Sequence, residues 1–188
     1  ECRSTTISGT NRGAFLGAAI GTLAKLGVDK LTLITSPALH DFGLWVEQMI
    51  AESLGKDSKG IIPIANEPFA DPAHYGSDRV FVYIRLVGDN NSQTDEHVEA
   101  LLNNGKPLIQ LSMSDMNQLG GEMFRWGFAT IIAGYLLMVN PFDQPNVQQA
   151  KDFTVEVLNT LSTDGEVDDI EVSNSLDSLL LNIEPGKY

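Results

Sequence analysis

The chain is predicted to fold as an α/β three-layer sandwich with a doubly wound parallel sheet, and three observations point there. Short runs rich in Val, Ile, Leu, Phe and Tyr alternate with segments of helical periodicity, an order that implies a parallel sheet covered on both sides. The run at 79–86 carries Val80, Phe81, Val82, Tyr83 and Ile84 in succession, the pattern of a strand buried on both faces. With 188 residues and 43% hydrophobic content, the chain can bury a full core in one domain.

The first helix is predicted over about residues 11–26, because Leu16, Ala19, Ile20 and Leu23 recur at helical spacing and Gly27 supplies a stop. Gly13, Gly17 and Gly21 fall four apart within it and suit close helix packing better than a phosphate cradle. Residues 30–35 follow as a strand. Asp41 is the expected N-cap of a helix running to Leu54, with Phe42, Trp45, Val46, Met49 and Ile50 on one face and Gly55 at its end. Strands are expected at 61–64 and 79–86, joined by a Pro-rich connection at 65–77. An amphipathic helix at 94–103, a strand at 107–111 and a long, largely buried helix at 117–138 come next, the last ending before Pro141. Pro145 opens a final helix reaching about Leu161.

Residues 1–10 read as an N-terminal extension, 11–163 as the domain and 164–188 as an acidic tail leading into a continuation. In that tail Asp164, Glu166, Asp168, Asp169 and Glu171 precede the apolar stretch 176–183. A start without Met is expected of a processed product or a piece of a longer chain. No internal repeat or low-complexity tract is evident.

Twelve basic against 25 acidic residues give a formal charge of −13, which opposes nucleic acid and anionic membrane as partners. This balance is silent on small anionic ligands, which need only locally placed donors. Cys2 is the one cysteine, so neither an intrachain disulfide nor a cysteine-based zinc site is possible, and a reducing, cytoplasmic setting fits best. The apolar stretches 13–28 and 127–139 are too short to span a bilayer as ideal helices and read as core. No secretory leader pattern is present in the sequence.

Gln48 and Glu52 lie one helical turn apart, beside Trp45 and to one side of the apolar stripe. Gln144 and Lys151 stand seven apart around the entrance of the last helix. Taken alone, Glu52 is an exposed glutamate near a helix end, Asp143 caps the helix that Pro145 opens, and Lys151 is solvated surface. Thr35, Ser36, Ser112 and Ser114 follow predicted strands, where open α/β sheets place their ligand crevice; the simpler reading is that they start the next helix. Glu122 and Arg125 suit a structural ion pair. His40 and His74 are weak candidates for a site, and His97 sits in the 94–103 helix.

Two segments change this balance. Residues 45–56 match a Gln-x-x-x-Glu-Ser-x-Gly-Lys pattern through Gln48, Glu52, Ser53, Gly55 and Lys56, and residues 140–151 run Asn-Pro-Phe-Asp-Gln-Pro to Lys151. Both resemble active-site segments of the phosphoglucose isomerase family. With 78–83 and 120–126 the resemblance extends over about residues 11–161, and it is closest to the isomerase portion of bifunctional transaldolase/phosphoglucose isomerases. It implies a sugar-isomerase (SIS) domain built on a five-stranded parallel sheet. It also implies interconversion of glucose 6-phosphate and fructose 6-phosphate through an enediol, with no metal or other cofactor. By position Glu52 inherits proton transfer, Lys151 contact with sugar oxygens during ring opening, and Gln48 and Gln144 substrate contact. The family's Ser-Lys-Thr-type phosphate loop, its Gly-Gly-Arg segment and its ring-opening histidine segment are not recognisable, so a second SIS lobe is an expected partner, and the resemblance also implies a homo-oligomer. A non-catalytic sugar-phosphate-binding module, or a structural half-site needing the second lobe, are the alternatives.

Overall fold

The computed structural model describes residues 11–56 and 59–164. The 1–10 extension and residues 165–188 of the acidic tail lie outside the described residues. Two compact units divide between Gln144 and Pro145, within the segment expected as one domain.

In the first unit, α1 (Arg12–Lys25) starts where the Asn11 side chain accepts a hydrogen bond from the Ala14 N–H at 3.0 Å. It stops where Gly27 takes a φ of +86°. β1 (Lys30–Thr35) leads through a single 3₁₀ turn, Pro37–Leu39, into α2 (His40–Leu54). Asp41 is therefore not the N-cap: the turn runs into the helix without a break, Leu39 holds the cap position and Asp41 falls in the first turn. β2 (Ile62–Ala65) and β3 (Arg79–Leu86) are joined by a crossover whose one regular piece is the turn Pro72–His74. Then come α3 (Ser92–Asn103), β4 (Leu108–Met113) and, after the turn Met116–Gln118, α4 (Leu119–Leu137). The second unit's described element is α5 (Pro145–Asp164).

The sheet is all parallel in the order β2-β1-β3-β4, so the winding reverses between β1 and β3. Where the resemblance implied five strands, the described residues contain four, because the chain passes from β4 into α4 and α5. Alternation along the strands sorts the core into two layers. Leu31, Leu33, Val80, Val82 and Ile84 face α1, α2 and α4, joining Leu16, Val46, Ile50 and Trp126. Ile34, Phe81 and Tyr83 face the other way, onto Tyr75 of the crossover and Val98 and Leu101 of α3. Each fully buried side chain of this size stabilises the fold by roughly 1.5–3 kcal/mol relative to leaving it in water.

The closest helix contact is between α1 and α4. A Cβ placed on Gly17 would lie 2.3 Å from the Ala129 carbonyl oxygen, and one on Gly21 would lie 3.0 Å from Ala133 Cα. These two glycines serve helix packing, as their spacing suggested. The Glu122–Arg125 pair forms at 2.8 Å, and burial raises the Glu122 carboxyl above its usual range against the pull of Arg125.

Candidate functional site on helix α2

Helix α2 is fixed by Phe42, Val46, Ile50 and Leu54, all buried, and by the Glu47 carboxylate, which accepts the Ala65 N–H at 2.9 Å. Trp45 stacks on Phe42 with ring centroids 5.6 Å apart. With that stripe turned inward, Gln48 and Glu52 emerge one turn apart on the exposed side. The Gln48 Nε2 donates to Glu52 Oε1 at 3.1 Å.

The other Glu52 oxygen is met from far along the chain: Gln144 Nε2, 92 residues away, donates to Oε2 at 3.2 Å. Glu52 thus has one amide donor on each carboxylate oxygen and is still open to solvent. Each oxygen keeps further acceptor capacity for a substrate proton or hydroxyl.

Gln144 ends a loop with its own scaffold. After α4, Met138 turns the chain with a φ of +59°, and Pro141 packs within 3.3 Å of the Cβ position of Gly134. The Asn140 side chain accepts the Phe142 N–H at 3.1 Å and donates to Asp143 Oδ2 at 2.9 Å. Lys56, just past the end of α2, donates to the Asn140 carbonyl at 2.5 Å, to Asp143 Oδ1 at 2.8 Å and to the Asp143 carbonyl. The Lys56 ammonium holds the Asp143 carboxyl below the usual carboxylate range. Asp143, expected as a helix cap, is engaged by Lys56 and Asn140. Sequence reasoning gave Lys56 no role, since a lysine after a helix-ending glycine reads as surface.

Three of the four expected site residues, Gln48, Glu52 and Gln144, therefore meet. Lys151 lies on α5 of the second unit and is exposed. His40 is exposed, with Nδ1 3.1 Å from Asp41 Oδ1, and His74 is exposed in the crossover turn. His97 stacks on Phe69 at 4.2 Å between centroids, and burial lowers its pKa. His40 and His97 line a separate cavity of about 260 Å³ with Thr32, Asn66 and Glu67. Ser36 is buried, donating to Asn91 Oδ1 at 2.6 Å and accepting the Leu86 N–H at 2.7 Å, so its hydroxyl joins the ends of β1 and β3. An apolar groove of about 510 Å³ between α2 and α4 includes Met49 and Ser53, sequence neighbours of Gln48 and Glu52, together with Phe124 and Phe142. Among the described residues no group of three or more His, Cys, Asp or Glu side chains could hold a metal ion. No helix among them is long and apolar enough to cross a membrane.

No protein-family model matches the chain. It is similar to proteins named glucose-6-phosphate isomerase: 26% identical over 189 residues to that of Leptospira biflexa, covering 80% of this chain and 42% of the relative. To that of Symbiobacterium thermophilum it is 31% identical over 170 residues, covering 71% and 38%. To the probable glucose-6-phosphate isomerase of Methanococcus maripaludis it is 28% identical over 159 residues, covering 68% and 36%. In fold it is similar to the crystal structure of a hypothetical protein from Thermus thermophilus, with a TM-score of 0.60 at 18% identity over 79% of this chain and 50% of that one. Over most of its own length, then, this chain is similar to proteins named glucose-6-phosphate isomerase, and it spans about two-fifths of the length of the curated relatives it matches.

Proposed function

We propose that this chain is an SIS domain carrying the proton-transfer part of a glucose-6-phosphate isomerase site. The observation that carries the reading is the Glu52 carboxylate held between Gln48 and Gln144, in two segments that sequence alone relates to one active site. The similarity to proteins named for this activity supports it.

Glu52 takes the proton from C2 of the open-chain aldose. The C–H electrons become the C1–C2 double bond of an enediol as the C1 carbonyl oxygen gains a proton. Glu52 then returns its proton to C1 while the C2 hydroxyl loses one and becomes the ketone. A single carboxylate suffices because the two carbons are adjacent and are reached from one side. Gln48 and Gln144 orient that carboxylate and contact the sugar hydroxyls. Lys151 contacts sugar oxygens and assists ring opening. A second SIS lobe supplies the phosphate grip, consistent with a chain that spans about two-fifths of its relatives.

The test is conversion of fructose 6-phosphate to glucose 6-phosphate by the chain and by its Glu52→Gln variant. Turnover in the wild type that drops by at least about a hundredfold in the folded variant supports the reading. Full activity in the variant refutes it. A folded wild-type chain without turnover assigns phosphate binding or ring opening to the second lobe, and addition of that lobe is then required to restore it.

A further inference from the structure

We propose that Lys56 is a positioning residue for this site: its buried ammonium clamps the 140–144 loop to the end of α2 and so sets Gln144 against Glu52. The catalytic consequence rests on the isomerase reading, whereas the clamp itself does not.

A lysine is almost never buried unless its charge is paired, and the Lys56 side chain is only 4% exposed. An ammonium has three donors, and here three acceptors meet it: the Asn140 carbonyl, the Asp143 carbonyl and Asp143 Oδ1. All three belong to the loop that delivers Gln144. Fixing the carbonyl and carboxylate of Asp143 fixes the start of the next residue, because neighbouring Cα atoms stand about 3.8 Å apart across a trans peptide.

The Gln144–Glu52 bond is exposed and 3.2 Å long, a weak constraint in competition with water. The Lys56 contacts are charge-assisted and made by a buried ammonium, hence the stronger of the two links. They run side by side: Glu52 and Lys56 sit four residues apart at the end of α2, and Asp143 and Gln144 are consecutive in the loop. The hydrogen bonds of Lys56 go to Asn140 and Asp143 of the loop, so its effect on chemistry passes through the loop.

The decisive experiment follows the Gln144 side-chain amide signal by nitrogen-15 NMR in the wild type, Lys56→Met and Asp143→Ala, each with and without Glu52→Gln. The signal is expected to respond to Glu52→Gln in the wild type and to lose most of that response in Lys56→Met and Asp143→Ala. Amide exchange at Phe142 is expected to rise about tenfold in both clamp variants. Should Lys56→Met fail to fold, Asp143→Ala decides, since it removes the carboxylate contact and weakens the clamp, leaving the two backbone carbonyls and the lysine in place. A response of undiminished size in the folded variants overturns the proposal and leaves Lys56 a purely structural residue. In an active preparation the rate losses of Lys56→Met and Gln144→Leu should fail to add, whereas additive losses count against the clamp. The NMR readout needs no turnover, so a failed isomerase reading and a failed clamp give different results.

Discussion

Replacing Gly17 with Ala tests the α1–α4 seam on which α2 and the loop after α4 depend. The added Cβ would stand 2.3 Å from the Ala129 carbonyl oxygen, 2.8 Å from Ile132 Cβ and 2.9 Å from the Ala129 carbonyl carbon. Two of these atoms are backbone, so no side chain can rotate aside, and relief requires the helices to part by about 1 Å, which forfeits a large part of the dispersion energy across the seam. Alanine should gain about 1 kcal/mol of helix propensity over glycine, but overpacking of this kind costs about 1–3 kcal/mol and occasionally more. The net expectation is a destabilisation of up to about 2 kcal/mol, read as a lower urea midpoint with an unchanged slope. Gly127 is the internal control, because nothing lies within 4 Å of its Cβ position. Gly127→Ala should therefore stabilise by about 0.5–1 kcal/mol. If the two variants unfold at the same denaturant concentration, the close approach of α1 and α4 is wrong.

Other substitutions probe the sheet and the site. Ser36→Ala strands the buried Asn91 Oδ1 and Leu86 N–H, and should cost about 1–3 kcal/mol by urea unfolding. The Arg85 guanidinium, aided by the Tyr83 hydroxyl, holds Asp95 below the usual carboxylate range. A depressed folded value means stabilisation that is present above the unfolded pKa of about 3.9 and is lost as pH falls through the folded value. The stability gap between wild type and Asp95→Asn should accordingly be widest above about pH 5 and narrow in stronger acid; a gap that is flat with pH contradicts the pairing. On the isomerase reading, Gln144→Leu should lower kcat/KM for fructose 6-phosphate in an active preparation by about tenfold with the urea midpoint unmoved. An unchanged kcat/KM removes Gln144 from the site.

The bounds of β1 and β3 were readable because each is a short apolar run rich in β-branched residues, with aromatics added in β3, set between helix stops and turns. β4 extends past the expected 107–111 to Met113. It is an edge strand with partly exposed positions, where Ser112 breaks the apolar signal without breaking the ladder. The start of α2 was misjudged because Pro37 sets a tight turn that flows straight into the helix, leaving no separate capping residue. At the site, helical spacing puts Gln48 beside Glu52, and it was the family resemblance that made the pair site candidates. The meeting of Gln144 with Glu52 spans 92 residues, and no periodicity carries that information; it entered through resemblance. Lys56 closes the matched motif, but its burial was illegible for a physical reason: the 140–144 loop creates it, and a lysine's own neighbours in sequence say nothing of a distant loop that folds over it.

Helix α2 presents two faces with separate obligations. Phe42, Val46, Ile50 and Leu54 hold the helix to the sheet, while Gln48 and Glu52 stand in solvent one turn apart and contribute almost nothing to the core. On the isomerase reading, substitutions at these two positions can therefore abolish or redirect the proposed chemistry without unfolding the protein. A saturation scan of α2 read once for abundance and once for turnover should split into two stripes about a half-turn apart, and a position scoring in both would mark a place where the scaffold and the reaction cannot change independently.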